Sequence, residues 1–408
     1  MSIITVYSGS FCNEEAVVRA LVARTGYQLV SDADLVAEAA KLSGIPEPKI
    51  DRVFSARPSV FNKFTHERER SLAHLRLAAA RAVVANNLVI SGYGGQLVSR
   101  TINHVLRVCL IADRKARTAQ AAAAMQVTDQ DAAKLIQKQD EDRAEWVRAL
   151  FDHTDPWAPQ LYDMVLPTDK MDPATIAAAI ADSAASAVVR PTDRSQRAAA
   201  DFLLAALVEV ALVQEGHQAG VHVKDGEVTL TINKHVLMLT RLESELKTIA
   251  AKVPGVKAVQ TKVGPGFYQA DIYRKQDFNM PSKILLVDDE REFVQTLSER
   301  LLMRDMGSAV AYDGESALEV VREDEPDVMI LDLKMPGIDG IEVLRRVKTT
   351  QPEIEVIILT GHGSEADRLV CMQLGAFAYL QKPVDVEELS ATIKSANEKI
   401  RQKNALRQ

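Results

Sequence analysis

A chain of 408 residues, 47% hydrophobic and 26% charged, has room for about two to four globular domains with cores of their own. Its formal net charge of −7 argues against nucleic acid as the main partner. Three widely spaced cysteines, Cys12, Cys109 and Cys371, suggest neither a zinc site nor a disulfide framework and read as buried thiols in a reducing compartment. The start, Met1-Ser2-Ile3-Ile4-Thr5, lacks a basic region ahead of an apolar one, and nowhere do 18 apolar residues run unbroken. A cytoplasmic protein without a membrane span is expected.

In chain order, Ile3-Ile4-Thr5-Val6 reads as a strand that empties into Ser8-Gly9-Ser10-Phe11-Cys12-Asn13. A helix from Glu14 to Arg24 follows, with Val17, Val18, Leu21 and Val22 on its apolar side. Strand, small-residue loop and helix form the layout of a phosphate-cradling loop. His66-Glu67-Arg68-Glu69-Arg70 reads as a charged, solvated helix face, leading into an alanine-rich helix from Arg68 to Ala85. Leu88-Val89-Ile90 is a second strand, ending in Ser91-Gly92-Tyr93-Gly94-Gly95, and Val105 to Ile111 a third.

The stretches ITVYSGSFCNEEAVVRALVARTGY, NNLVISGYGGQLV, VLRVCLIADRKAR, QDEDR and LYDMVLPTD resemble, in order and spacing, the cytidylate-kinase-like family of P-loop nucleoside monophosphate kinases over residues 1–188. A working loop is GxxxxGK[ST], since glycines let backbone N–H groups approach phosphate and the lysine neutralises it. Counting from Gly9 puts Glu14 at the second glycine, Glu15 at the lysine and Ala16 at the hydroxyl. A carboxylate facing polyphosphate in partly desolvated surroundings changes attraction to repulsion, a difference on the order of several kcal/mol. The family's Gly-Arg-Gly stands here as Gly92-Tyr93-Gly94, while Arg117, Asp140 and Arg143 match charged positions of its lid. Three readings stay open: a catalytic kinase, a pseudo-enzyme with a degenerate nucleotide site at Gly9, Ser10, Glu15, Tyr93, Arg117 and Arg143, and a structural or protein-binding domain.

Arg190-Pro191-Thr192-Asp193, within Ser186 to Gln196, reads as a linker. A helix from Arg197 to Gln214 has an apolar side of Phe202, Leu203, Ala206, Val210 and Val213. Val221 to Lys224 and Glu227 to Ile232 flank Asp225-Gly226, a pair suited to a two-residue hairpin turn. A helix from Leu239 to Lys252 and a strand ending at Val263 complete a small α+β sandwich, placed at 195–275. VKDGEVTLTI and VPGVKAVQTKV resemble the BON domain, a module thought to bind phospholipid or other ligands, with Ile232 where that family usually has glycine. Lys247, Lys252, Lys257 and Lys262 read as a solvated face rather than a lipid-binding patch, so an interdomain adaptor is expected and a membrane partner is not.

Four apolar runs then each end in a reactive residue. Ile284 to Val287 empties into Asp288-Asp289-Glu290, Val328 to Leu331 into Asp332, a third run into Thr360, and Tyr379-Leu380 into Gln381-Lys382-Pro383. Alternation with amphipathic stretches implies a parallel sheet covered by helices, with ligands beyond the strands' carboxyl ends. Three converging carboxylates call for a divalent cation, and Mg²⁺ suits an all-oxygen shell. Asp332 fits a nucleophile toward a phosphoryl group, with Lys382 and Thr360 as cation and hydroxyl. VDDE, DLKMPGIDG, LTGHG and QKP, in this order, resemble the receiver domain of two-component response regulators over 282–400. The resemblance implies Asp332 as phosphoacceptor, Asp288, Asp289, Asp332 and the Lys334 carbonyl as Mg²⁺ ligands, Thr360 and Tyr379 as a switch pair, and a cis proline after Lys382. A helix from Asp385 to Lys403 continues with a basic end.

The expected architecture is multidomain α/β: a P-loop kinase-like domain, a BON-like sandwich and a flavodoxin-like (βα)5 receiver. The expected function is that of a response regulator phosphorylated by a sensor histidine kinase or phosphotransfer protein, with a homodimer through the receiver as one arrangement. No recognition helix follows the receiver, so output to DNA is not expected. The alternatives are a phosphorylation-gated nucleoside monophosphate kinase and a lipid- or ligand-sensing adaptor.

Overall fold

The alternation of apolar runs and amphipathic stretches produces two parallel sheets and one small mixed sheet in the computed structural model, which describes residues 2–55, 60–236, 238–268, 283–304, 306–361 and 363–405. Residues 269–282, where the boundary after the second domain was expected, and His362 of the LTGHG motif lie outside the described residues. The chain divides into two compact units, one of residues 1–58 and 68–274, the other of residues 59–67 and 275–408.

The first unit opens with β1 (Ile3–Ser8), α1 (Glu14–Thr25), β2 (Gln28–Ser31), α2 (Asp32–Ser43) and α3 (Glu47–Asp51). The short α4 (Asn62–Thr65) falls in the second unit, and α5 (Glu67–Val84) leads on to β3 (Leu88–Ser91), β4 (Val105–Ile111), α6 (Arg114–Met125), α7 (Asp129–Phe151), β5 (Met164–Pro167) and α8 (Pro173–Ala185). The strands are parallel in the order β2-β3-β1-β4-β5, with Ile3 paired to both Leu88 and Val105. Alternate residues of β1 serve opposite cores, Ile4 and Val6 packing with α1 and α8, Ile3 and Tyr7 with α2, α5 and α7. The sequence showed no strand at Gln28–Ser31, an edge segment of four residues with Gln28 and Leu29 exposed.

The expected linker is largely helical: Ala187–Val189 form a 3₁₀ turn and α9 (Asp193–Gln214) starts three residues after Arg190. Thr192 is its N-cap, its side chain accepting from Ser195 N while Ser195 Oγ accepts from Thr192 N. β6 (Gly220–Lys224), β7 (Glu227–Ile232), α10 (Leu239–Ala251) and β8 (Ala258–Val263) follow, in a sheet ordered β6-β7-β8. The β6–β7 hairpin turns at Asp225 and Gly226, both at positive φ, and Asp201 on α9 accepts from both their N–H groups. α9 carries two apolar stripes. Leu204, Val208 and Leu212 cover the small sheet, while Ala206, Val210 and Val213 pack on Ala73, Leu77 and Ala80 of α5.

The second unit comprises β9 (Ile284–Val287), α11 (Arg291–Leu302), β10 (Ser308–Ala311), α12 (Gly314–Glu323), β11 (Val328–Leu331), α13 (Gly340–Thr350), β12 (Glu355–Thr360), α14 (Glu365–Gln373), β13 (Ala378–Gln381) and α15 (Val386–Ala405), together with α4. Its strands are parallel in the order β10-β9-β11-β12-β13. One face packs on α11 and α15, the other on α12 and α13. Phe61, fully buried, belongs to the second of these cores with Leu285, Met329 and Leu331. Buried Lys283 binds Glu67 at 2.6 Å and Asp324 at 2.9 Å and lies 5.8 Å from the Phe61 ring. The stretch from His66 to Arg70 is therefore no solvated helix face: His66 takes a left-handed conformation between α4 and α5, and Glu67 is held in an ion pair.

Candidate functional site

β9, β11 and β12 end on the same side of the second sheet and deliver Asp288-Asp289, Asp332 and Thr360, with Lys382 just beyond β13. Carboxylate oxygens of Asp288, Asp289 and Asp332 lie within 4.8 Å of one another, Asp288 and Asp332 buried and Asp289 exposed. Lys382 Nζ stands 2.6 Å from Asp288 Oδ2, 3.3 Å from Glu290 Oε1 and 3.8 Å from Asp332 Oδ2. Burial pushes the Asp288 carboxyl above its usual range, against the hydrogen bonds it accepts from Lys382 and Glu290 N. Burial also disfavours the Lys382 ammonium, yet its bond to Asp288 and the nearby Asp332 charge hold its pKa above the ordinary lysine value.

Asp332 Oδ1 accepts from Leu333 N at 2.8 Å, which leaves Oδ2 on the side of Lys382. Gly340, at the start of α13, runs so close to the Asp332 carbonyl that a Cβ there would overlap it. Three converging carboxylates with no soft donor are a set that fits Mg²⁺. Lys334, expected to lend its carbonyl, lies in the turn after β11 with its side chain exposed. Thr360 is fully buried at the end of β12, and the Lys382–Pro383 peptide is cis. The Tyr379 hydroxyl is buried and, among the described residues, has no hydrogen-bond partner.

In the first unit a cavity of about 1190 Å³ lies where β1, β2 and β3 end, lined by Gly9, Ser10, Glu15, Tyr93 and Arg143 of the expected nucleotide site. Arg117 is not among its lining residues. It is buried, paired through both Nη atoms with Asp140 at 2.6 and 3.0 Å and through Nε with the Ser10 carbonyl at 2.8 Å. Arg143 donates to the carbonyls of Ser8 and Gln139 and lies over the Tyr93 ring. Glu15, placed by motif spacing at the lysine position, points to solvent and pairs with Arg19. Glu14 is the residue that reaches inward, its carboxylate accepting from the hydroxyls of both Ser8 and Ser91. Asp32 accepts from the N–H groups of Tyr93 and Gly94 at 2.8 and 2.7 Å. Glu14 and Asp32 were absent from the sequence-derived site; Asp32 begins a helix directly after β2, the strand the sequence did not show.

Residues 284–394 match the response regulator receiver domain family, and residues 3–170 match the cytidylate kinase-like family. The response regulator MprA of Mycolicibacterium vanbaalenii is 36% identical over 116 residues, covering 28% of this chain and 50% of that protein. The transcriptional regulatory protein CpxR of Escherichia coli is 44% identical over 114 residues, covering 28% of this chain and 48% of that protein. The chain thus spans about half the length of the curated relatives it matches. A solved receiver domain from Clostridium thermocellum is 37% identical, with a TM-score of 0.29, covering 30% of this chain and 98% of that one. The C-terminal region is a response regulator receiver domain homologous to those of MprA and CpxR, which supports two-component signalling. Among the described residues no helix is long and apolar enough to cross a membrane.

Proposed function

We propose that this protein is a cytoplasmic response regulator that accepts a phosphoryl group on Asp332 and passes the signal to its own preceding residues or to a protein partner. The observation that carries this reading is the buried Asp332 beside Asp288, Asp289 and Lys382 at the strand ends. Asp332 Oδ2 attacks the phosphorus of a phosphohistidine on a sensor kinase or phosphotransfer protein, and the P–N bond breaks toward the donor imidazole. Asp288, Asp289, Asp332 and the Lys334 carbonyl would hold Mg²⁺, which when bound neutralises the phosphoryl oxygens. Lys382 moves from Asp288 to the new phosphoryl group, and Thr360 donates its hydroxyl to it. Tyr379 and the face from Glu365 to Lys394 carry the change outward, to a partner or a second copy of the receiver.

The first unit serves as the output platform in this reading, with the three-stranded module as a BON-like adaptor in it. Its match to cytidylate kinase-like proteins raises the alternative of a phosphorylation-gated nucleoside monophosphate kinase. Glu14 inside the loop, and arginines already engaged with Asp140 and loop carbonyls, weigh against that alternative. Acetyl-phosphate labelling with Mg²⁺ tests the main reading: label on the wild type and none on Asp332→Ala is expected, and full labelling of the variant overturns the assignment.

A further inference from the structure

Among the described residues β6 is an edge strand, bonded on one side to β7 and on the other to nothing. Lys224 and Glu227 flank a two-residue turn and so exchange both backbone hydrogen bonds, and the alternation of an antiparallel ladder repeats this for His222 with Thr229 and Gly220 with Thr231. The N–H and C=O groups of Val221 and Val223 therefore point away from β7, and among the described residues no other element bonds them. A cleft of about 800 Å³ runs along this edge, bordered by β6, α9 and residues 97–101. All five residues of β6 line it. Successive side chains of a strand point to opposite faces, so a space over one face touches alternate residues, whereas one that touches all five lies against the backbone edge. Five strand residues span about 17 Å, room for an extended segment of equal length.

The lining describes the segment that fits. Its acids are engaged: Glu209 holds Arg76 at 2.5 Å, Asp201 accepts from the N–H groups of Asp225 and Gly226, and Asp225 stands 3.9 Å from Arg197. Arg194 and Lys224 are exposed, and among the described residues neither is in an ion pair. These two cations are left to meet an anionic group. Leu97, Phe202 and Ala205 give the same cleft an apolar wall. A strand with acidic side chains on one face and apolar ones on the other satisfies both surfaces while its backbone pairs with β6.

We propose that β6 takes an extended, acidic segment of a partner protein as a fourth strand, its backbone bonded to Val221 and Val223. The inference stands apart from phosphorylation at Asp332, which such binding neither requires nor tests. The test is fluorescence anisotropy of the full-length protein with a labelled octapeptide of alternating glutamate and valine, against one of alternating lysine and valine. Saturable binding of the acidic peptide, at least tenfold tighter than that of the basic one, is expected. Val221→Pro removes an N–H that β7 does not use, at an edge position where strands accept proline, and should weaken binding at least tenfold. Arg194→Glu should do the same and serves if the proline variant misfolds, since it places an acid in the first turn of α9, where the helix dipole favours one. Flat titrations, equal binding of the two peptides, or undiminished affinity in either folded variant overturns the proposal. So does a dimer in sedimentation that Val221→Pro dissolves, which gives the edge to a second copy of this chain.

Discussion

The Tyr379 hydroxyl occupies the space that a Cβ on Gly363 would need, and Thr360 Cγ2 borders the same space. The tyrosine hydroxyl thus lies against the backbone at Gly363, on the Thr360 side of the strand ends. Glycine at 363 is what admits the ring. Gly363→Ala is expected to expel Tyr379, visible as increased tyrosine accessibility to solvent or to iodination. Unchanged accessibility would show that the loop yields instead.

The buried Tyr379 hydroxyl, without a partner among the described residues, carries a desolvation cost that phenylalanine would not. Tyr379→Phe is expected to raise the stability of the unphosphorylated protein by about 1 kcal/mol, read by urea denaturation. A loss of that size would reveal a hydrogen bond made in solution.

Lys382 rests on Asp288, at 2.6 Å, rather than on Asp332, at 3.8 Å, and so balances a carboxylate that burial already disfavours. In Lys382→Ala the three acids lose their cation. Mg²⁺ is expected to raise Tm by more in this variant than in the wild type, because a ligand stabilises in proportion to its preference for the folded state. Acetyl-phosphate labelling should slow at least tenfold, about 1.4 kcal/mol of transition-state stabilisation. An equal Mg²⁺ response in both proteins would mean that the lysine does not compensate these carboxylates.

Phe61 fills the receiver core from a position more than two hundred residues upstream. Phe61→Ala is expected to cost about 3–5 kcal/mol in the stability of that unit, and amide exchange at Leu285 and Met329, in the same core, should quicken. A fragment of residues 283–405 should show the same deficit. Native stability in either would place Phe61 on the surface in solution.

Burial pushes Asp32 up to about 6, against the two backbone hydrogen bonds from Gly94 and Tyr93, with Glu14 and Asp51 adding to the rise. The unfolded chain releases this proton near pH 4, so the folded state binds more protons between about pH 4 and 6, and stability falls as pH rises through that window. Below it the contribution is constant. Asp32→Asn removes this slope: the stability of the wild type relative to the variant should drop between pH 4 and pH 7 in guanidinium denaturation. A constant difference would assign Asp32 an ordinary pKa.

The receiver was legible because its chemistry sits at strand ends, so that short apolar runs point directly at Asp288, Asp332 and Thr360. The loop before α1 was legible as a shape but not as a charge pattern. Counting motif positions put Glu15 at the phosphate, whereas the phase of α1 turns Glu15 to solvent and Glu14 toward Ser8 and Ser91. Thr192 and Ser195 spell a capping box that the preceding Pro191 disguised as linker. Nothing local marks Phe61, whose partners lie in a distant part of the sequence.

The two apolar stripes of α9 make the small sheet a tenant of the larger domain rather than a neighbour. A module whose hydrophobic interior is partly supplied by a helix that also packs elsewhere cannot be transplanted intact between proteins by recombination at its sequence borders. Its ancestry is therefore tied to that of the domain it leans on, and changes in one stripe of α9 constrain which changes the other can accept.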